Sequence, residues 1–157
     1  MKKSFVHVAV IPARAGSVGL PGKNRLFFDQ TADFLDSVSW FDQVVVTSDD
    51  EVILDKAQSR RYASHTRPKI LSGSDVSIKT VFDDLILSLN CSDNIILWLF
   101  YLPILYKRLS DFEGAKKLIE IDGVNSVCTF VPVKTHPFNT WKHDLSSNQM
   151  IQYVSND

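Results

Sequence analysis

The sequence predicts an α/β fold, a three-layer α/β/α sandwich on a largely parallel sheet. Short continuous runs of β-branched and aliphatic residues recur along the chain, segments with helical periodicity separate them, and the most glycine-rich segment directly follows the first run. Continuous apolar runs suit strands covered on both faces, and strands alternating with helices are the order of βαβ units.

The first strand is residues 5–11 (FVHVAVI), closed by Pro12. The second is residues 43–47 (QVVVT); the following Ser48-Asp49-Asp50-Glu51 is a Ser-x-x-Glu capping box that should open a helix running to about Arg60. From Ile78 onward, Val81, Phe82, Leu85, Ile86 and Leu89 form one apolar stripe at helical spacing. Residues 95–100 (IILWLF) read as the third strand, Ser110-Asp111-Phe112-Glu113 as a second capping box opening a helix to about Glu120, and residues 126–133 (SVCTFVPV) as the fourth strand. Beyond Asp144 the chain is polar, and residues 150–154 alone resemble a strand. In such a sheet a ligand is expected where loops leave the carboxyl ends of the strands.

With 157 residues, 45% of them hydrophobic, the chain can bury one core, and no linker or repeat divides it, so residues 1–157 read as a single domain. Seventeen basic against 18 acidic residues give a net charge of -1, which offers no broad field for nucleic acid or anionic lipid; any anion site must be local. Residues 95–105 are apolar but far short of the roughly 20 residues a bilayer span needs, and the first residues lack the apolar stretch of a signal peptide. A soluble cytoplasmic protein is expected. Cys91 and Cys128 lack metal-site spacing and read as free thiols in the core; Trp98 and Trp141 read as core or edge aromatics.

Residues 13–24 hold three glycines, Arg14 and Lys23 directly after a buried strand. Glycines let successive amides point into one concavity that can hold phosphate oxygens, and the two cations supply compensating charge. The G-x-x-x-x-G-K-[ST] pattern fails, because Ser17 replaces its first glycine and Asn24 its metal-binding hydroxyl. G-x-G-x-x-G fails as well, with Gly16 and Gly19 three apart. Composition alone leaves a plain surface turn and a phosphate loop about equally supported.

The wording of this segment, IPARAGSVGLPGKN at residues 11–24, resembles the signature IPARGGSKGIPRKN of acylneuraminate (sialic acid) cytidylyltransferases, and its Pro-Gly-Lys variant is similar to their Kdo-activating relatives. Residues 44–51 (VVVTSDDE) resemble the family's VIVSTDDEEI, residues 66–75 (TRPKILSGSD) its RRPAELASD, and residues 126–138 (SVCTFVPVKTHPF) its SVVPVxxHPF. The resemblance implies a Rossmann-like fold of the nucleotide-diphospho-sugar transferase type. It also implies a reaction in which a sugar hydroxyl attacks the α-phosphate of CTP, with Mg2+ assistance, giving a CMP-linked acidic sugar and pyrophosphate.

By motif position, Ala13, Arg14, Gly16, Ser17, Lys23 and Asn24 would hold the nucleotide, with Arg14 and Lys23 as the catalytic cations. Arg67 matches a family arginine near the base, Ser77 is placed by a looser alignment, and His136 and Phe138 would line the sugar side. The resemblance identifies no metal ligands here; Asp49 and Asp50 suit magnesium as a pair but equally suit a helix N-terminus. Dimerisation is a family expectation.

Departures from the pattern set a second reading beside the first. Val18 and Gly22 stand where family members carry cations, and residues 98–107 (WLFYLPILYK) replace the polar LLQPTSPLR. Family members also continue past the position of Asp157 into a segment that supplies dimer contacts and metal-holding carboxylates. The alternative is therefore a catalytically impaired paralogue acting as a nucleotide-binding or assembly protein, and a nucleotidyltransferase for another sugar or nucleotide is a third reading.

Overall fold

The computed structural model describes residues 5–16, 19–89, 94–129 and 141–152, with the backbone alone at 141, 142 and 152. Four strands, β1 (Val6–Pro12), β2 (Gln43–Ser48), β3 (Ala63–Thr66) and β4 (Ile95–Leu99), form one parallel sheet in the order β3-β2-β1-β4. β1 is central, with Ile11 opposite Val46 on one side and Val10 opposite Leu99 on the other. The chain steps outward from β1 to β3 and then crosses back to place β4 on the far side of β1. That reversal opens a crevice at the carboxyl ends of β1 and β4.

The continuous apolar character of β1 follows from its burial on both faces. Ala9 and Ile11 join Phe28, Ala32 and Leu35 of α1 (Lys23–Asp36) and Ile53 and Ala57 of α2 (Glu51–Ser59) in one core. Val8 and Val10 point the other way, toward Leu85 of α3 (Ile78–Leu89). Each fully buried aliphatic or aromatic side chain contributes about 1.5–3 kcal/mol, so these two half-cores, rather than helix propensity, hold the layers together. The predicted α/β/α sandwich is the architecture observed.

α1 was not legible as a helix. Its buried positions Asn24, Phe28, Thr31, Ala32 and Leu35 keep helical spacing, but two of the five are polar and break the apolar stripe. β3, with the sequence ASHT, is a short edge strand without an apolar run.

Both capping boxes are corrected. The cap of α2 is Asp50, whose carboxylate accepts from the amide of Val52, while the Ser48 hydroxyl donates to the Ala13 carbonyl instead. The last helix, α4 (Leu109–Ile119), begins after Arg108 without a side-chain cap, so Ser110 lies inside it. Residues 126–129 form no strand, and the rest of the expected fourth strand lies outside the described residues. Cys128 is exposed rather than in the core, and Cys91 lies outside the described residues. Near the end, β5 (Trp141–Asp144) pairs antiparallel with β6 (Gln149–Gln152) as a hairpin, of which only the second strand was expected. No helix among the described residues is long and apolar enough to cross a membrane.

Candidate nucleotide-binding site

The loop after β1 is held in place by the carboxyl end of β2. The Ala13 amide donates to the Thr47 carbonyl at 3.0 Å, the Ser48 hydroxyl to the Ala13 carbonyl at 2.5 Å, and the Ala15 amide to Asp49 Oδ1 at 2.8 Å. From the far end of the loop, Asn24 Nδ2 donates to the Arg14 carbonyl at 2.8 Å. Gly22, the residue before α1, has φ +68°, a left-handed conformation that other residues adopt at a cost. This gives the glycine that replaces a family cation a local backbone reason.

Arg67 enters from the end of β3. Its amide donates to the Ser48 carbonyl at 2.8 Å and its Nη2 to the Thr47 carbonyl at 3.0 Å. The residue is 6% exposed, no carboxylate pairs with it, and Nε is buried without a hydrogen-bond partner among the described residues. Burial pushes its pKa below the usual arginine value; Asp49 opposes that effect and the nearby charge of Arg14 adds to it. A guanidinium remains charged in a protein, so its desolvation favours an incoming anion.

Arg67, Arg14, Lys23 and Asn24 line one cleft of about 350 Å³, together with the apolar side chains of Val76, Ile78 and Val81 and the segment Tyr101, Leu102 and Pro103. The cleft lies at the carboxyl ends of β1 and β4, where the strand order reverses. Cations beside an apolar lining suit an amphipathic anion, with phosphates on the first and a flat base on the second. A larger cavity of about 500 Å³ runs along β4 beside residues 121–127, but no cation among the described residues lines it.

Of the sequence-derived site residues, the fold thus brings Arg14, Lys23, Asn24 and Arg67 together. Ala13 is fully buried and positions the loop through its backbone; Gly16 is exposed, with open space beyond Arg14 where a side chain would stand. Ser77 does not line the cleft: its hydroxyl accepts from the Thr80 amide at 3.1 Å and caps α3, whereas neighbouring Gly73 and Ser74 do line it. Ser17, His136 and Phe138 lie outside the described residues. Tyr101 and Leu102 belong to the segment noted for its lost polarity, and no local pattern places them in one cleft with Val76 and Ile78.

Magnesium is ordinarily anchored by one or two free carboxylates, and of those near the cleft Asp50 is not free. Asp50 accepts from Arg25 through both oxygens, at 2.7 and 3.0 Å, and the Arg25 hydrogen bonds hold its pKa below the usual carboxylate range. Asp49 braces Ala15, and exposed Asp75 accepts from Ser74 at 3.3 Å. No carboxylate lines the cleft, and no group of His, Cys, Asp or Glu suited to a metal ion occurs among the described residues.

No protein-family model matches the chain, and no curated protein matches it. Its structure is similar to that of a CMP:2-keto-3-deoxy-manno-octonic acid synthetase solved in complex with CTP, with TM-score 0.58 and 24% identity over 74% of this chain and 48% of that one. The chain thus spans about half the length of the solved protein it matches. The shared feature is the fold, a Rossmann-like α/β/α sandwich on a parallel sheet.

Proposed function

We propose that the chain binds CTP in the cleft at the ends of β1 and β4 and acts as a cytidylyltransferase, transferring CMP to an acidic sugar of the sialic acid or related 2-keto-3-deoxy class. The observation that carries this reading is buried Arg67, without a carboxylate partner and sharing a cleft with Arg14 and Lys23. The fold likeness to a CTP-bound synthetase and the ordered motifs of the sequence support it.

In the proposed reaction the sugar hydroxyl oxygen bonds to the α-phosphorus, the bond from that phosphorus to the β-phosphate bridging oxygen breaks, pyrophosphate leaves and the hydroxyl proton passes to solvent. Arg14, Lys23 and Arg67 offset the phosphate charge, and the pinned loop fixes its position before substrate arrives. The test is pyrophosphate release from CTP in the presence of a panel of acidic sugars. Release with one of them is expected; none, from protein that binds CTP, would remove the transferase reading.

A second reading, nucleotide binding without transfer, is favoured by one observation. Tyr101, Leu102 and Pro103 present little hydrogen-bonding capacity where a polyol would need partners. CTP binding without turnover is its expected outcome.

A further inference from the structure

Thr47 ties two sides of the cleft together. Its carbonyl accepts from the Ala13 amide and from Arg67 Nη2, both at 3.0 Å, and so steadies the cationic side. Its buried hydroxyl lies 2.9 Å from Nδ1 of His65, its register partner on β3. The far side of the same ring turns to α3, with Nε2 3.1 Å from Asp84 Oδ2. With the proton on Nε2, facing the carboxylate, Nδ1 accepts from the Thr47 hydroxyl. The His65 side chain is 10% exposed, so water competes little for either contact.

The apolar wall of the cleft comes largely from α3. Ile78 and Val81 line it from the start of the helix, whereas Leu85 and Leu89 pack on the sheet. Asp84 lies within one turn of Val81, between the part of α3 that the core anchors and the part that faces the cleft. The loop that carries Arg14 and Lys23 is held separately, through Ser48, Asp49 and Asn24.

We propose that His65 is a positioning residue of the cleft: bridging Thr47 and Asp84, it fixes the α3 wall against the strand ends that hold Arg67, and so sets the fit for the nucleoside part of the ligand while the loop grips the phosphates. This role rests on the nucleotide reading above, and His65 itself does not line the cleft. A ring that only satisfied the buried Thr47 hydroxyl would matter to stability and not to which part of a ligand is gripped. The ratio of CTP to pyrophosphate affinity tells the two roles apart.

Calorimetric titration of the full chain with CTP and, separately, with inorganic pyrophosphate in the same buffer tests it. His65→Asn keeps an acceptor for Thr47 but is too short to reach Asp84; it should weaken CTP binding about fivefold and change pyrophosphate binding less than about twofold. Asp84→Ala, at a helix position whose side chain is 35% exposed, should do the same without disturbing the strand. The double variant should lose no more than either alone, since both cut one connection. His65→Gln, whose longer amide can donate to Asp84, should lose less. Equal losses of CTP and pyrophosphate, unchanged CTP affinity in the single variants, or additive losses in the double variant overturn the inference and leave the nucleotide reading standing. Wild-type protein that takes CTP but not pyrophosphate also overturns it, because the loop then does not grip phosphates by itself. Wild-type protein that binds neither overturns both.

Discussion

Asn24 Nδ2 donates to the Arg14 carbonyl at 2.8 Å, tying the first turn of α1 to the start of the loop that leaves β1. Asn24 is 8% exposed, so the bond is shielded from water and closes the loop across its base. Asn24→Ala should cost about 1–2 kcal/mol of stability and weaken CTP binding several-fold as Arg14 loses its fixed backbone. Urea unfolding and calorimetry read the two effects, and unchanged CTP affinity would refute the positioning role.

Arg67 should behave differently, because no carboxylate among the described residues forms an ion pair with it. Arg67→Met removes a desolvated charge, and the Thr47 carbonyl it leaves still accepts from the Ala13 amide. Stability without ligand should change by less than about 1 kcal/mol in either direction, while CTP affinity should fall on the order of a hundredfold. A large stability loss with unchanged binding would mark Arg67 as structural.

Gly22 carries the backbone strain of the loop. Gly22→Ala meets no atom within 4 Å, so its cost comes from φ +68° alone and should be about 1 kcal/mol. If α1 starts differently as a result, Lys23 shifts and CTP binding weakens in parallel. Denaturant midpoints and titration of the same variant decide this.

His7 makes stability depend on pH. Trp98 Nε1 donates to His7 Nδ1 at 3.1 Å, so Nδ1 carries no proton; Nε2 carries it and donates to Glu120 at 3.1 Å. This fixes one neutral tautomer. Burial pushes the His7 pKa below 6.5 and Lys116 adds to that, against the opposing pull of Glu120 and Asp42. Unfolding frees the ring to take up the proton that the folded state resists. Its contribution is therefore complete above pH 6.5 and is lost as the pH falls from there through the folded pKa. Urea midpoints from pH 8 to 5 should decline, and His7→Phe should flatten that part of the curve.

The layers were readable where burial on both faces leaves a continuous apolar run, as at residues 6–12 and 95–99, or where α3 shows a full stripe. α1 and β3 were not, because Asn24 and Thr31 occupy core positions of the helix and β3 is a polar edge strand. In the site, Arg14 and Lys23 were legible in the cationic glycine loop itself, whereas Asn24 and Arg67 were named from motif wording alone, although Arg67 is 53 positions from Arg14. Ser77 was named from a loose alignment over residues 75–80, which does not show that its hydroxyl turns to cap α3.

By itself the sequence determined the alternation of strands and helices, because periodicity and β-branching are local properties. It also determined the cationic glycine loop. Only the tertiary structure decided that β4 returns beside β1, that Arg67 reaches the same cleft as Arg14 without a carboxylate partner, and that Asp49 and Asp50 are already engaged. Those outcomes depend on contacts between residues distant in the chain, and a side chain's partner is set by which surfaces the sheet brings together.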